Sequence, residues 1–140
     1  MLILFSMWWI YFEQPAYERL TSLKASMRWG YGHYAVFASA AATGAGLAVA
    51  VDHDLHVAHV GDLVSALATT VPVAVFVLVV WLLHLDHERM RRVSAAFPAA
   101  ALLILATSFT PLPIHLTALV MVVLTGLLVT TRRTARFASD

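Results

Sequence analysis

Long apolar runs alternate with short polar segments along the chain. The run from Trp29 to Val51 contains no Lys, Arg, Asp or Glu and exceeds the roughly 20 residues that a helix needs to cross a bilayer. Leu63–Leu85 is a similar run, and its Pro72 is compatible with a transmembrane helix because neighbouring helices satisfy the freed carbonyl. The pattern predicts an all-α, polytopic transmembrane helical bundle with about five spans, over residues 1–14, 29–51, 63–85, 95–110 and 114–131.

The first and fourth apolar runs are shorter than the others. Met1–Phe12 reaches only about 18 Å at 1.5 Å per residue, so we expect the first span to be incomplete. Pro111 and Pro113 end the fourth run, since proline lacks the amide donor of a helix and restricts the residue before it. No repeat or linker divides the 140 residues, so we expect a single membrane domain.

Positive residues occur in alternate connections between the runs. The first connection, the third connection and the C-terminal tail are basic, whereas the second and fourth connections have neither Lys nor Arg. Because positive residues favour the cytoplasmic side, this alternation predicts an N-terminus outside and a cytoplasmic C-terminus. The nine basic residues are Arg19, Lys24, Arg28, Arg89, Arg91, Arg92, Arg132, Arg133 and Arg136.

The composition agrees with a chain whose main partner is the lipid bilayer. Hydrophobic residues make up 61% and charged residues 12%, against about 45–50% and about 25% in soluble domains. A net charge of +1 without a basic face predicts no nucleic-acid partner. The chain has no Cys, which excludes disulfides and thiolate chemistry. We see no nucleotide loop, catalytic triad or haem-attachment motif, so the sequence favours a non-enzymatic role without a cofactor.

Small residues dominate the middle of the second span. They recur at four-residue spacing, which lets two helix backbones approach closely. The pattern favours packing within one subunit, with dimerisation through the same face as the alternative. The predicted helix-packing residues are Ser39, Ala40, Ala42, Thr43, Gly44 and Gly46.

Glu13 and His33 form a candidate polar pair at the predicted cytoplasmic ends of the first two spans. An ionisable group near the membrane needs a partner, and antiparallel neighbouring spans would bring these two residues to similar depth. A Glu–His pair could relay protons or bind a cation. A boundary histidine that is hydrogen-bonded for stability is the structural alternative.

The connection from Asp52 to Asp62 is rich in His and Asp. On a helix, Asp52, His56 and His59 would share one face, and their side chains suit zinc or another transition metal. However, the spacing matches no closed zinc signature, and Gly61 indicates a turn. The pattern therefore favours a solvated, pH-sensitive loop and leaves these three as weak metal candidates.

Two segments resemble the bacterial low-temperature-requirement A (LtrA) family of membrane proteins. One is WWIYFEQP, residues 8–15, and the other is RWGYGHYAVFASAAATGAGLAVAV, residues 28–51. The resemblance implies a bacterial cytoplasmic membrane location and a link to growth in the cold. It makes Glu13 and His33 family-type positions without an assigned role, together with Trp8, Trp9, Tyr11, Phe12, Tyr31 and Tyr34.

The N-terminus departs from the family pattern. Family members usually carry several helices before the double-Trp segment, including one with a Gly-Glu pair, and nothing in this sequence matches that part. The resemblance therefore predicts a C-terminal portion of a longer protein, completed by N-terminal helices from elsewhere or by a homo-oligomer.

Three functions fit these observations. The first is a structural or accessory membrane protein linked to growth at low temperature. The second is a proton-coupled or solute transporter component that uses Glu13 and His33. The third is a membrane enzyme that acts on lipid and has its site in the His-rich connection.

Overall fold

A computed structural model describes residues 1–13, 23–57, 59–84 and 91–137. These residues form five α-helices and no strand, which confirms the predicted fold class. The helices are α1 (Leu2–Phe12), α2 (Leu23–Asp54), α3 (Asp62–His84), α4 (Arg91–Thr107) and α5 (Pro113–Phe137).

Within the described part of the chain, three helices are long and apolar enough to cross a membrane. They contain the stretches Trp29–Asp54, Asp62–Leu83 and Pro113–Arg132. The other two apolar helices are shorter, at 11 residues for α1 and 17 residues for α4. The protein is therefore a multi-pass membrane protein, in agreement with the apolar pattern of the sequence.

The helix ends differ from the apolar runs for local reasons. Helix α2 begins at Leu23 rather than Trp29, because polar residues can continue a helix beyond the hydrocarbon. Helix α4 ends at Thr107, and amide-to-carbonyl bonds with three-residue spacing tighten the following turn, as from Thr110 N to Thr107 O at 3.0 Å. Pro113 is the first residue of α5. At this position the amide hydrogen that proline lacks would have no partner within the helix.

The C-terminus of α2 is closed by a Schellman-type turn. The Val57 amide donates to Asp52 O and the His56 amide donates to His53 O, both at 2.9 Å. His56 has a φ of 60°, the left-handed conformation that this turn requires. The chain therefore reverses within a few residues and leads back into α3.

Helix α3 lies at the centre of the bundle. It packs against α2 and α4 over long faces, while α5 packs against α4 and α1. The buried core is apolar and draws on all five helices, with Ile10, Val36, Val77, Phe97 and Met121 among its members. Helices α1 and α5 are thereby neighbours, although α2, α3 and α4 separate them in the chain.

Helices α2 and α3 approach at backbone distance around Gly46. A Cβ added at Gly46 would lie 2.0 Å from the carbonyl oxygen of Ala68 and 2.8 Å from the amide nitrogen of Thr69. Only a residue without a side chain fits there. The close approach lies within the stretch of small residues in the second span, and small residues of this kind allow helix backbones to approach.

Candidate functional site

His33 is buried on the face of α2 that packs into the bundle, with 8% of its surface exposed. Its Nδ1 lies 2.7 Å from the backbone carbonyl oxygen of Trp29, one turn earlier in the helix. Because a carbonyl can only accept, this geometry puts the proton on Nδ1. The bond fixes the orientation of the imidazole ring.

Three aromatic rings surround the His33 imidazole. The Trp29 ring centroid lies 3.7 Å away, that of Tyr11 lies 5.8 Å away at an interplanar angle of 73°, and that of Phe37 lies 6.2 Å away. Tyr11 comes from α1 and the other residues come from α2. We call Tyr11, Trp29, His33 and Phe37 the aromatic cluster, and it joins the end of α1 to the beginning of the apolar part of α2.

Glu13 lies directly after α1, two residues beyond Tyr11. Its backbone amide donates to Trp9 O at 3.0 Å, and its carbonyl accepts a hydrogen bond from the Arg132 guanidinium of α5. A cationic donor at a helix C-terminus also interacts favourably with the negative end of the helix dipole. The described contacts of Glu13 thus attach α1 to α5 through the backbone.

Tyr11 contacts His33 and lies two residues before Glu13, but the described contacts include no bond between the side chains of Glu13 and His33. Among the described contacts, Tyr11 is the residue of α1 that touches His33. The polar pair Glu13–His33 therefore stays a prediction.

The other family-type aromatic residues take two kinds of position. Tyr31 and Tyr34 point away from the bundle and are 74% and 78% exposed. Trp8 packs edge-on against Trp9 and lies 5.4 Å from the ring of Phe12. These exposed rings suit the membrane–water boundary, where amphipathic rings collect.

The small residues of α2 divide between two faces. Ser39, Thr43 and Gly46 are buried, and the Thr43 hydroxyl donates to Ser39 O at 2.8 Å. Ala40 is half-buried against the core, whereas Ala42 and Gly44 are exposed, with open space at Gly44. The buried face packs within the subunit. Self-association through the exposed face stays a prediction.

The metal candidates of the α2–α3 connection do not share a helix face. Asp52 lies in α2, but the helix ends at Asp54, and His56 and His59 are exposed beyond it. Within the described ranges, no three His, Asp or Glu residues are placed to hold a metal ion together. Metal binding and the lipid-enzyme hypothesis stay untested predictions.

A histidine–aspartate contact that we did not predict closes the same connection. His53 Nε2 lies 3.1 Å from Asp62 Oδ1, and its Nδ1 lies 3.8 Å from Asp54 Oδ1. This contact ties the last turn of α2 to the first residue of α3. The sequence carried a weak signal for it, since both residues flank a short polar connection.

A pocket of about 260 Å³ lies beside this contact. The end of α2, the beginning of α3 and the α4–α5 turn surround it. Its polar lining consists of His53, Asp54, Asp62, Ser65, Ser108, Thr110 and His115. We call it the His53 pocket, and it lies at the opposite end of the bundle from the aromatic cluster.

A comparison of the sequence with protein-family models places the chain in a known group of membrane proteins. The family described as "Bacterial low temperature requirement A protein (LtrA)" matches residues 1–131. The chain belongs to the LtrA family. Neither the search of curated proteins nor that of solved structures gave a match for this LtrA protein.

The match agrees with the resemblance noted in the sequence and covers most of the chain. The aromatic cluster and the His53 pocket both lie inside the matched residues of this LtrA protein, and Arg132 directly follows them. The match thus covers both ends of the bundle, and it assigns no role to individual residues.

Arg132 should be required for full stability of the α1–α5 contact. Replacing it by Gln keeps a long polar side chain but removes the charged guanidinium that donates a hydrogen bond to the Glu13 carbonyl. We expect Arg132→Gln to lower the unfolding free energy by about 1 kcal/mol, since a half-buried hydrogen bond at a helix end has that magnitude. Denaturant titration of the purified protein in micelles measures it, with the exposed Thr134→Ala as control. An unchanged midpoint in Arg132→Gln would show that this contact contributes nothing.

Proposed function

We propose that this LtrA protein is an accessory, non-enzymatic component of the bacterial cytoplasmic membrane that supports growth at low temperature. The family description supports the link to low temperature. The composition of the bundle interior supports an accessory role, and it is the observation that carries the proposal.

The buried polar residues are almost all hydroxyl residues. Among the described residues, His33 is the one ionisable side chain in the buried set, and the others are Ser or Thr. Several of these hydroxyls bond to carbonyls of their own helix, as Thr70 does to Ala66 O, or to each other across helices, whereas Thr69 Oγ1 has no partner among the described residues. Such an interior stabilises helix packing, whereas proton and ion pathways use ionisable residues inside the membrane.

Two hydroxyl pairs connect α4 and its following turn to neighbouring helices. Thr107 and Thr117 join α4 to α5 at 2.9 Å, and Thr70 joins α3 to Ser108 at 2.7 Å. Helix association in lipid rests on such bonds and on close packing, and the hydrophobic effect, which weakens on cooling, is not its driving force. The fold is therefore suited to persist in the cold.

Complementation of a deletion strain tests the accessory role. The wild-type gene should restore growth at low temperature, and so should His33→Phe and Glu13→Gln. Phe keeps a ring in the aromatic cluster and removes the titratable group. Growth rate at low and optimal temperature, with protein levels in the membrane, is the measurement. Full complementation by both variants would support the accessory role.

Proton-coupled or solute transport is the second candidate. Two observations favour it. His33 is buried next to Tyr11, and Tyr11 lies two residues before Glu13 in the chain. If His33→Phe or Glu13→Gln abolished growth in the cold at normal protein levels, transport would replace the accessory role. Solute or proton flux in vesicles would then identify what is moved.

We also propose that the N-terminus is outside and the C-terminus cytoplasmic, on the basis of the basic connections. The chain has no Cys, so a single introduced thiol reports its own side of the membrane. Val57→Cys, in the exposed α2–α3 connection, should react with an impermeant maleimide in spheroplasts. Thr134→Cys, near the end of α5, should react only after permeabilisation. The reverse pattern, or labelling of both in intact spheroplasts, would contradict this topology.

A further inference from the structure

We propose that the His53 pocket binds an amino alcohol through its ammonium and its oxygen. This is a site separate from the aromatic cluster, and it does not depend on the accessory role. Four observations carry the inference: the size of the pocket, its charge, the donors and acceptors of its floor, and its place at the end of the bundle.

The pocket has room for a small organic molecule. Its volume is about 260 Å³, and a cavity of about 150 Å³ already accepts benzene. The lining combines polar groups with apolar side chains such as Ala66, Pro111 and Ile114. A short carbon chain with polar ends fits this combination.

The charged side chains in the lining of the His53 pocket include two carboxylates. Asp54 and Asp62 line the pocket, and neither Lys nor Arg is among its lining residues. Helices α3 and α5 begin beside the pocket while α2 and α4 end beside it, so the partial charges of the helix ends oppose each other. The two carboxylates, which are exposed and also contact His53, then favour a cation. With no three metal-ligating side chains grouped together in the described part of the chain, an ammonium fits better than a metal ion.

The floor of the pocket offers two buried hydroxyls. Thr70 donates to Ala66 O, so in the 2.7 Å contact Ser108 donates to Thr70, and the Ser108 oxygen keeps acceptor capacity toward the pocket. Ser65 also lines the pocket and is only 5% exposed. The hydrogen bonds of the described residues leave its hydroxyl available to a ligand. A ligand oxygen in the pocket could therefore accept a hydrogen bond from Ser65.

An amino alcohol satisfies these groups together. Its ammonium donates to Asp54, Asp62 and Ser108, while its oxygen accepts from Ser65. The chemistry has two sources, namely free ethanolamine and the ethanolamine headgroup of a phospholipid, in which the same oxygen is esterified. The pocket lies at the ends of transmembrane helices, where both sources are accessible.

Binding of the free compound is tested with the purified full chain in detergent. Ethanolamine should raise the thermal unfolding temperature in a saturable way. Choline has a quaternary ammonium without N–H donors and should bind about tenfold more weakly. Ethylene glycol has no charge and should give no shift. The second arm uses nanodiscs with phosphatidylethanolamine or phosphatidylcholine, and native mass spectrometry reports the retained lipid.

Matched variants locate the site. Asp54→Asn with Asp62→Asn should weaken ethanolamine binding, or lipid retention, by about tenfold, and Ser65→Ala should weaken it several-fold. Asp52→Asn is the control, because Asp52 is an exposed carboxylate of the same helix end that does not line the pocket. Circular dichroism verifies that every variant is folded.

The outcomes separate the two sources and can overturn the proposal. Saturable binding of ethanolamine without selective lipid retention identifies a free ligand, and selective retention of phosphatidylethanolamine identifies a lipid. The proposal is wrong if both arms show no preference for the primary ammonium. It is also wrong if Asp52→Asn weakens binding as much as the pocket variants do.

Discussion

Replacing Gly46 by alanine should destabilise the bundle by about 3 kcal/mol, the upper part of the range for overpacked sites. The added methyl group would meet the carbonyl oxygen of Ala68 at 2.0 Å and its carbonyl carbon at 2.5 Å. These are backbone atoms, so no side chain can rotate away. Helices α2 and α3 would have to separate along their contact. Reversible unfolding with sodium dodecyl sulfate in mixed micelles measures the loss.

Gly44→Ala is the matched control for this change. It adds the same methyl group to the same helix, two residues away, where nothing lies within 4 Å of the new atom. Its effect should stay within about 0.5 kcal/mol, as for other exposed substitutions. Equal losses in the two variants would mean that the α2–α3 contact at Gly46 does not account for the effect, since alanine is a better helix former than glycine at both positions.

Phe97→Ala should have the next largest effect. Phe97 is completely buried, on a helix that packs between α3 and α5. The same change costs about 3–5 kcal/mol in water-soluble cores. We expect a loss of about 2–3 kcal/mol here. When the bundle unfolds in a membrane, the Phe97 side chain exchanges protein contacts for lipid contacts, so its truncation removes mainly packing interactions. The same unfolding titration reports it.

Leu102→Ala is the control for Phe97→Ala, because it also removes a large apolar side chain from α4 but does so outside the core. Leu102 lies on the same helix and is 69% exposed, so its side chain faces the surroundings of the bundle. Truncating it should leave the unfolding midpoint nearly unchanged. If the two truncations had similar effects, Phe97 would not be a packing residue of the core.

The apolar runs of the sequence predicted the helices. The prolines indicated a break between the fourth and fifth runs, although α4 already ends at Thr107, before the predicted boundary at Thr110, and α5 begins at Pro113. The start of α2 could not be predicted in this way. Hydropathy reports which residues tolerate lipid, whereas helix formation depends on backbone hydrogen bonds. Leu23–Arg28 is polar enough to leave the membrane and still continues the helix.

The spacing of small residues in α2 does not distinguish the face that packs against α3 from the face that stays open. Gly44 and Gly46 belong to overlapping stripes, and about 200° of helix rotation separates them. One is open and the other touches the α3 backbone. Only the position of α3 distinguishes them, and that position depends on contacts made far away in the sequence.

The candidate site was predictable in part for a similar reason. The cost of burying an ionisable residue pointed to His33, and the structure surrounds it with aromatic rings. The His53–Asp62 contact depends on a reversal in which His56 has a positive φ. Since left-handed positions are usually glycine, a histidine there gives no sequence signal.

The pairing of α1 with α5 has a consequence for how the chain is assembled in the cell. The ribosome delivers α1 to the membrane before α5. The contact between these two helices, including the hydrogen bond from Arg132 to the Glu13 carbonyl, can therefore form only after α5 has entered the membrane. A polypeptide that stalls before α5 would leave this face of α1 uncovered, and it would be a natural substrate for membrane proteases.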